Sequence, residues 1–391
     1  MSSIVVVGIA RTAQGSFQGA LSSVAAPRLG AAAIEAALKQ AGVKPEVISE
    51  VIMGNVLMAG VGQAPARQAA IYAGISKSAP AVTINKVCGS GMKSILMGMQ
   101  SLALGDSEFV VAGGMENMTQ SPYLLKTARA GFRLGHQQVT DSMIHDGLWD
   151  PYNDQHMGNC AELCAKEYKF SREAQDEFAI TSFKRSQAAQ AAGHFKSEIA
   201  SVMIAGKKGD TAFDTDEGPA KGQFDKIPTL KPAFDKTGTV TAANASTIND
   251  GASALVLTTE KKAASLGLKP LARLVSYAGH AQAPEWFTTA PAEAMRKAMR
   301  KASWETNSVD LFEVNEAFAV VAMAAERDLS ISRDKLNVWG GAISLGHPIG
   351  SSGSRIVVTL INALQRLDKK RGVAGICIGG GEALSVCVER M

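Results

Sequence analysis

Apolar residues fall along this chain in two alternating patterns. Short β-branched runs, SIVVVG at 3–8 and EFVVAGG at 108–114, have the density of strands buried on both faces. Alanine-rich stretches with helical spacing run between them. GAAAIEAALKQAGV at 30–43 predicts a helix stopped by Gly42, and SGMKSILMGMQSLALG at 90–105 predicts another. SEVIMGNVL at 49–57 reads as a further strand. Near the other end, VDLFEVNEAFA predicts a strand running into a helix. GHPIGSSGSRIVVTLINALQRL predicts a glycine-rich turn entering a helix, and VAGICIGGGEALSVCVER a terminal hairpin. Such alternation predicts an α/β fold with covered sheets.

The two ends echo one another. VIMGNV matches LFEVNE, which sets Asn55 opposite Asn315. VCGSGMKS matches GHPIGSSGSR, which sets Cys88 near His347. VVAGGME matches ICIGGGE, which sets Gly113 opposite Gly379. The intervals are 33 and 25 residues in the first set, 32 and 32 in the second. Three ordered echoes predict a duplicated domain. The stretch between them is more polar and richer in turns. It carries one long helical pattern, 171–193, with Ser171 as N-cap and Gly193 as stop. The predicted division is a first domain at 1–118 and 249–270, an inserted loop domain at 119–248, and a second domain at 271–391.

Composition narrows the class. Among 391 residues, 46% are hydrophobic and 19% charged, an ordinary globular balance. The net charge of +4 lacks any long basic run, so a nucleic-acid partner is not expected. No run of 18 apolar residues predicts a membrane span, and the first apolar run is too short for a signal sequence. The expected compartment is the cytoplasm. Five cysteines make no disulfide framework. Cys160 and Cys164, with His156 nearby, lack the companions of a zinc site, and no metal is expected.

The chemistry concentrates in a few glycine-flanked positions. Cys88, in VCGSGM, sits where a strand gives way to a helix. Unpaired N–H groups and the positive helix end there lower a thiol's pKa and can hold an oxyanion. Read alone, it is more often a buried free cysteine. His347 lies between glycine and proline on a tight loop, either structural or, if the repeats meet, the base of a Cys–His pair. Cys377 precedes IGGG, so it is either a core strand residue or a proton carrier beside exposed N–H groups. Asn315, at a strand end, is either a turn residue or an amide that orients a water.

Taken together, NKVCGSGMKS, VVAGGMENMTQSPY, NASTINDGA, NEAFA, GGAISLGHPIGSSG and CIGGG resemble the thiolase family, in its biosynthetic form. The resemblance runs in order from ARTAQGSF to the last strand. It implies the thiolase fold: a duplicated α/β domain with two stacked mixed sheets, covered and separated by helices, plus an inserted loop domain. It implies the condensation of two acetyl-CoA to acetoacetyl-CoA and CoA, and the reverse thiolysis, with no cofactor. Cys88 would be the nucleophile and His347 its activator. Asn315 would hold a water, Cys377 would take the α-proton, and the N–H groups of Cys88 and Gly379 would form an oxyanion hole. Leu148, His156 and Met157 match positions lining the CoA tail and acyl pocket, and Ser246 one that bonds pantetheine. Phe234 and Phe318 would wall the channel, and Lys221 would face the nucleotide phosphates. The family further implies a homotetramer, a dimer of dimers.

Three positions depart from the family pattern. Trp339 stands where a small polar residue is common. Glu382 and Ala383 follow CIGGG where a further glycine is usual. Phe287 occupies a pocket position where methionine is common, which suits a short acyl chain. The alternatives are a degradative thiolase preferring longer chains, a ketoacyl synthase, and a non-catalytic acyl-CoA binder. Cys377 argues against the second, and the intact Cys88, His347 and Cys377 against the third.

Overall fold

The computed structural model describes residues 3–207 and 209–391. Its first half-sheet is built from β1 (Ile4–Thr12), β2 (Glu50–Gly54), β3 (Ala81–Ile84), β4 (Phe109–Asn117) and β5 (Asn249–Thr259). They lie in the order β1-β5-β4-β2-β3. The second half-sheet comprises β6 (Ala272–Ala281), β7 (Leu311–Val314), β8 (Arg371–Ile378) and β9 (Glu382–Arg390), in the order β6-β9-β8-β7. The order repeats, with the counterpart of β3 reduced to one bridge between Phe312 and Leu336. Each half mixes antiparallel and parallel pairs.

The halves are hydrogen-bonded to each other along one short seam. Ile4, Val5 and Val6 pair with Leu274, Arg273 and Ala272. The two stacked sheets expected from the family are therefore joined at a corner, a connection that strand patterns alone do not reveal.

Helices complete five layers. α1 (Ala26–Ala41) and α2 (Pro65–Tyr72) cover the outer face of the first half. α6 (Ala290–Ala302) and α7 (Ala319–Leu329) cover the outer face of the second. α3 (Ser90–Leu104) and α8 (Ile349–Arg366) lie between the half-sheets. One apolar cluster spans this central layer: Val110 and Leu257 from the first half, Ile95 and Ile356 from the helices, Ile376 and Val386 from the second. α8 is buried from Ile349 through Leu364, which explains its run of small and apolar residues.

Local sequence explains most boundaries. Gly42 ends α1 at φ +66, and Ser171 accepts the Ala174 N–H at the start of α5 (Arg172–Ala191). α1 begins earlier than its periodicity suggests because Pro27 fits its first turn. β2 stops at Gly54 rather than running to Leu57. There the Glu116 carboxylate captures the N–H groups of Val56 and Leu57, at 2.9 and 3.2 Å.

The third echo is out of register. Gly54 faces Gly114 across β2 and β4, while Val314 faces Gly375 across β7 and β8. The counterpart of Gly379 is thus Met118, not Gly113. Asn55 and Asn315 do correspond, each following its strand. Cys88 and His347 also correspond, each two residues before a central helix.

Candidate active site

Cys88 occupies a tight turn between β3 and α3. Val87, the residue before it, has φ +46, a strained value for a β-branched side chain. The turn holds this conformation with its own bonds. Gly89 N–H donates to the Lys86 carbonyl at 3.0 Å, and Ser90 Oγ donates to the Val87 carbonyl at 2.7 Å. The thiol is half-buried. Burial pushes its pKa up to about 11, while the N–H groups of Gly379 and Cys88, both aimed at the sulfur, pull it down.

His347 is 5% exposed and precedes α8. Its Nδ1 lies 2.5 Å from Ser352 Oγ, and that hydroxyl donates its one hydrogen to the Pro348 carbonyl at 3.0 Å. With that hydrogen on the carbonyl, Nδ1 is the donor and Nε2 is left as the acceptor. Burial, aided by the charge of Arg355, lowers the imidazole pKa to about 3. The ring is neutral at pH 7.

Two glycines bring these residues together. α3 and α8 cross at their first turns so closely that a β-carbon on Gly91 would lie 2.8 Å from Ser354 N. One on Gly353 would lie 2.5 Å from Met92 N. The crossing sets both helix N-termini beside a single cavity of about 540 Å³.

Cys88, His347 and Gly379 line that cavity. So do all eight residues assigned to substrate binding: Leu148, His156, Met157, Lys221, Phe234, Ser246, Phe287 and Phe318. His156 and Met157 start α4 (Met157–Tyr168), where His156 Nδ1 accepts the Gly158 N–H at 3.0 Å. The His156 ring stacks on Phe234 at 4.7 Å, and burial lowers its pKa. Phe318 meets both Phe234 and Phe287 edge-on, at 6.0 and 6.3 Å. Ser246 is held by its N–H to the Ala317 carbonyl at 2.9 Å. Lys221 is exposed.

Cys377 and Asn315 are not among the lining residues; they lie behind them, fully buried. Cys377 packs in the cluster that holds Met157 and Phe318. Burial raises its pKa well above the usual thiol value, and the neighbouring Cys88 raises it further. Neither amide atom of Asn315 has a protein partner, so both are available to a water.

Sequence reasoning missed several residues here. Met118, Ile248 and Ile349 line the cavity. Ser352 sets the imidazole tautomer, and its position five residues after His347, on the first turn of α8, is the signal that points back to the ring. Glu116 accepts N–H bonds from Val56, Leu57, Gly350 and the Asn55 amide. Burial pushes its pKa up to about 7. A carboxylate one residue before the end of a nine-residue buried strand was its signal.

The departures separate by position. Phe287 is buried and narrows the cavity. Trp339 stacks on His194 at 5.0 Å, away from the lining. Ala383 pairs with Cys377 in the hairpin, and Glu382 forms an ion pair with Lys86. Cys160 and Cys164 lie on the buried face of α4, and no metal-ligating group of His, Cys, Asp or Glu gathers among the described residues. Among those residues, no helix is long and apolar enough to cross a membrane.

Known proteins are similar to this sequence along its whole length. Residues 4–261 match the family described as Thiolase, N-terminal domain, and residues 268–390 match Thiolase, C-terminal domain. A Cupriavidus necator protein named acetyl-CoA acetyltransferase is 53% identical over 392 residues, covering all of both chains. Acetyl-CoA acetyltransferase 2 of Arabidopsis thaliana is 52% identical, covering 99% of this chain and 96% of its own. The Pseudomonas aeruginosa protein of the same name is 48% identical across both full lengths. With both domains matched in order and relatives this similar from end to end, the chain belongs to the thiolase family.

Proposed function

We propose that this chain is an acetyl-CoA C-acetyltransferase that joins two acetyl-CoA into acetoacetyl-CoA and CoA, and cleaves acetoacetyl-CoA in reverse. One observation carries the reading. A cysteine with two N–H groups aimed at its sulfur shares a narrow cavity with a neutral imidazole whose Nε2 is free to accept. The names of the relatives agree with it.

The protons balance over two half-reactions. At rest Cys88 and Cys377 are thiols and His347 is neutral. In the first half, the Cys88 sulfur bonds to the acetyl carbon as its proton passes to His347 Nε2. The carbonyl charge falls on the N–H groups of Cys88 and Gly379. Cys377 protonates the departing CoA sulfur. This leaves an acetylated Cys88, an imidazolium and a Cys377 thiolate. In the second half, that thiolate takes the α-proton of a new acetyl-CoA. The high pKa that burial gives Cys377 makes its thiolate a strong base. The enolate oxygen is held by His347 and by a water on Asn315. The enolate carbon attacks the acetyl group, the bond to Cys88 breaks, and His347 returns the proton to that sulfur. The cycle is ping-pong and uses no cofactor.

The wall residues take the carrier. Leu148, His156, Met157, Phe234 and Ser246 follow the pantetheine, Lys221 faces the nucleotide phosphates, and Phe287 and Phe318 close the end on a two-carbon acyl group. We further propose a cytoplasmic homotetramer serving lipid metabolism. Exposed apolar side chains at Tyr123, Leu125, Phe132, Leu134 and Val139 support subunit contacts in that segment.

Mixing with acetyl-CoA tests the roles. Cys88→Ala should release no CoA in a first turnover. Cys377→Ala should still form the thioester on Cys88, slowly, yet make no acetoacetyl-CoA. A Cys377→Ala protein that condenses normally, or a Cys88→Ala protein that acylates, overturns the assignment.

A further inference from the structure

The two turns that flank the Cys88 sulfur come from opposite halves of the fold. Each is well fixed within its own half. On one side, Lys86 N–H donates to Ser90 Oγ at 2.8 Å, and Val87 N–H donates to Asn85 Oδ1 at 2.9 Å. On the other, the turn Gly379–Gly381 joins β8 to β9. Gly380 and Gly381 adopt φ +92 and +82 there, and Gln282 N–H donates to the Gly381 carbonyl at 2.9 Å. The hairpin pairs Ile378 with Glu382 directly across this turn.

The attachment of one turn to the other is sparser. Part of it is apolar: a β-carbon on Gly89 would lie 2.3 Å from Ile378 Cδ1, so the Ile378 side chain packs directly on the Gly89 backbone. The polar part is the ion pair between Lys86 Nζ and the Glu382 carboxylate. Apart from the Gly379 N–H aimed at the Cys88 sulfur, no other side-chain hydrogen bond or ion pair among the described residues joins 85–91 to 376–383.

We propose that Lys86 and Glu382 are positioning residues that set the spacing between the Cys88 and Gly379 N–H groups. The inference rests on the catalytic reading above. Lys86 lies two residues before one donor, and Glu382 three residues after the other. Neither side chain lines the cavity. An oxyanion hole works through donors held in place before charge develops. A gap loosened by a fraction of an ångström weakens both bonds to the acetyl oxygen, in the transition state more than in the ground state. The signature is a fall in kcat with little change in KM.

The pair is 29% and 37% exposed, so its effect is modest and falls with salt. A purely electrostatic role would look different. Without Glu382, a lone Lys86 would favour the Cys88 thiolate; without Lys86, a lone Glu382 would disfavour it. The two single variants would then move the acylation rate in opposite directions. Positioning moves both the same way.

The test uses the full-length protein and rapid mixing with acetyl-CoA. It compares wild type, Lys86→Gln, Glu382→Gln and the swapped pair Lys86→Glu with Glu382→Lys. At low salt, each single variant should acylate about two- to five-fold more slowly, with KM within about two-fold. The swapped pair should recover at least about half of the wild-type rate, and about 1 M salt should bring wild type down toward the single variants. Unchanged single variants, opposite shifts, or a swapped pair slower than either single variant overturn the inference alone. A wild-type chain that takes no acetyl group onto Cys88 overturns the catalytic reading, and this inference with it.

Discussion

Ser352 gives the sharpest test of how the base is prepared. Its hydroxyl accepts the His347 Nδ1–H at 2.5 Å and donates to Pro348, and both partners are buried. Ser352→Ala removes the acceptor and nothing that lines the cavity. The Nδ1–H then stands buried and unpaired, at about 1–3 kcal/mol. The imidazole escapes by moving its proton to Nε2, the atom that has to accept from Cys88. If that bond energy is what holds the productive tautomer, the first acylation slows about five- to 150-fold, at 1.36 kcal/mol per factor of ten. KM should barely move. The assay is CoA release in the first turnover, compared with a thermal melt to show that the fold persists. Nitrogen-15 spectra of labelled histidine add a direct view, since the chain has only six histidines. Wild type should show protonated Nδ1 at His347 and the variant protonated Nε2. A folded Ser352→Ala protein that acylates within two-fold of wild type would refute the reasoning.

Two further expectations rest on buried groups. His347 has a folded pKa near 3 against an ordinary value of 6.5, so the folded state resists its protonation. Its contribution to stability is intact above pH 6.5 and is lost as pH falls from there toward 3. Relative to His347→Gln, wild type should lose about 2 kcal/mol between pH 7 and pH 5, measured by denaturant unfolding; equal pH slopes would count against it. Phe287→Ala should open the acyl end of the cavity. The rate ratio of 3-ketohexanoyl-CoA to acetoacetyl-CoA cleavage should rise at least about tenfold, with about 3 kcal/mol lost from stability. An unchanged ratio would mean that Phe287 does not limit chain length.

Much of the site was legible because its chemistry sits in short strings that do not depend on distant pairing. Cys88, His347 and Gly379 are flanked by glycines where elements change, and the wall residues followed from the family motifs. What was hidden depends on tertiary register. The β1–β6 seam is three residues long and leaves no mark on either strand's pattern. Gly113 and Gly379 aligned by composition, yet ladder partners separate them by five positions, because glycine-rich strings match one another in several registers. Depth was also hidden. Cys377 and Asn315 sit in motifs as conspicuous as that of Cys88, but both lie fully buried behind the lining. Ser352 was lost in a run of serines, any of which could have faced the ring.

The register also explains how one duplicated scaffold makes an asymmetric reaction. Cys88 and His347 are counterparts, each just ahead of a central helix, so each feels the positive end of a helix dipole. The same field has opposite chemical meanings at the two places. At the sulfur it favours the anion, the form that attacks. At the imidazole it disfavours the cation, which keeps the ring neutral and ready to accept. Counting from Gly114 and Gly375, Glu116 and Cys377 are counterparts as well. One copy holds a carboxylate that ties down the Asn55 turn and the start of α8 through Val56, Leu57 and Gly350. The other holds a thiol beside Cys88. The first half of the fold thus uses this position for rigidity and, in the proposed mechanism, the second uses it for proton transfer. In the proposed mechanism, two pairs of counterpart positions thus supply a nucleophile and a base at the cavity, with an anchor and a proton carrier behind its lining.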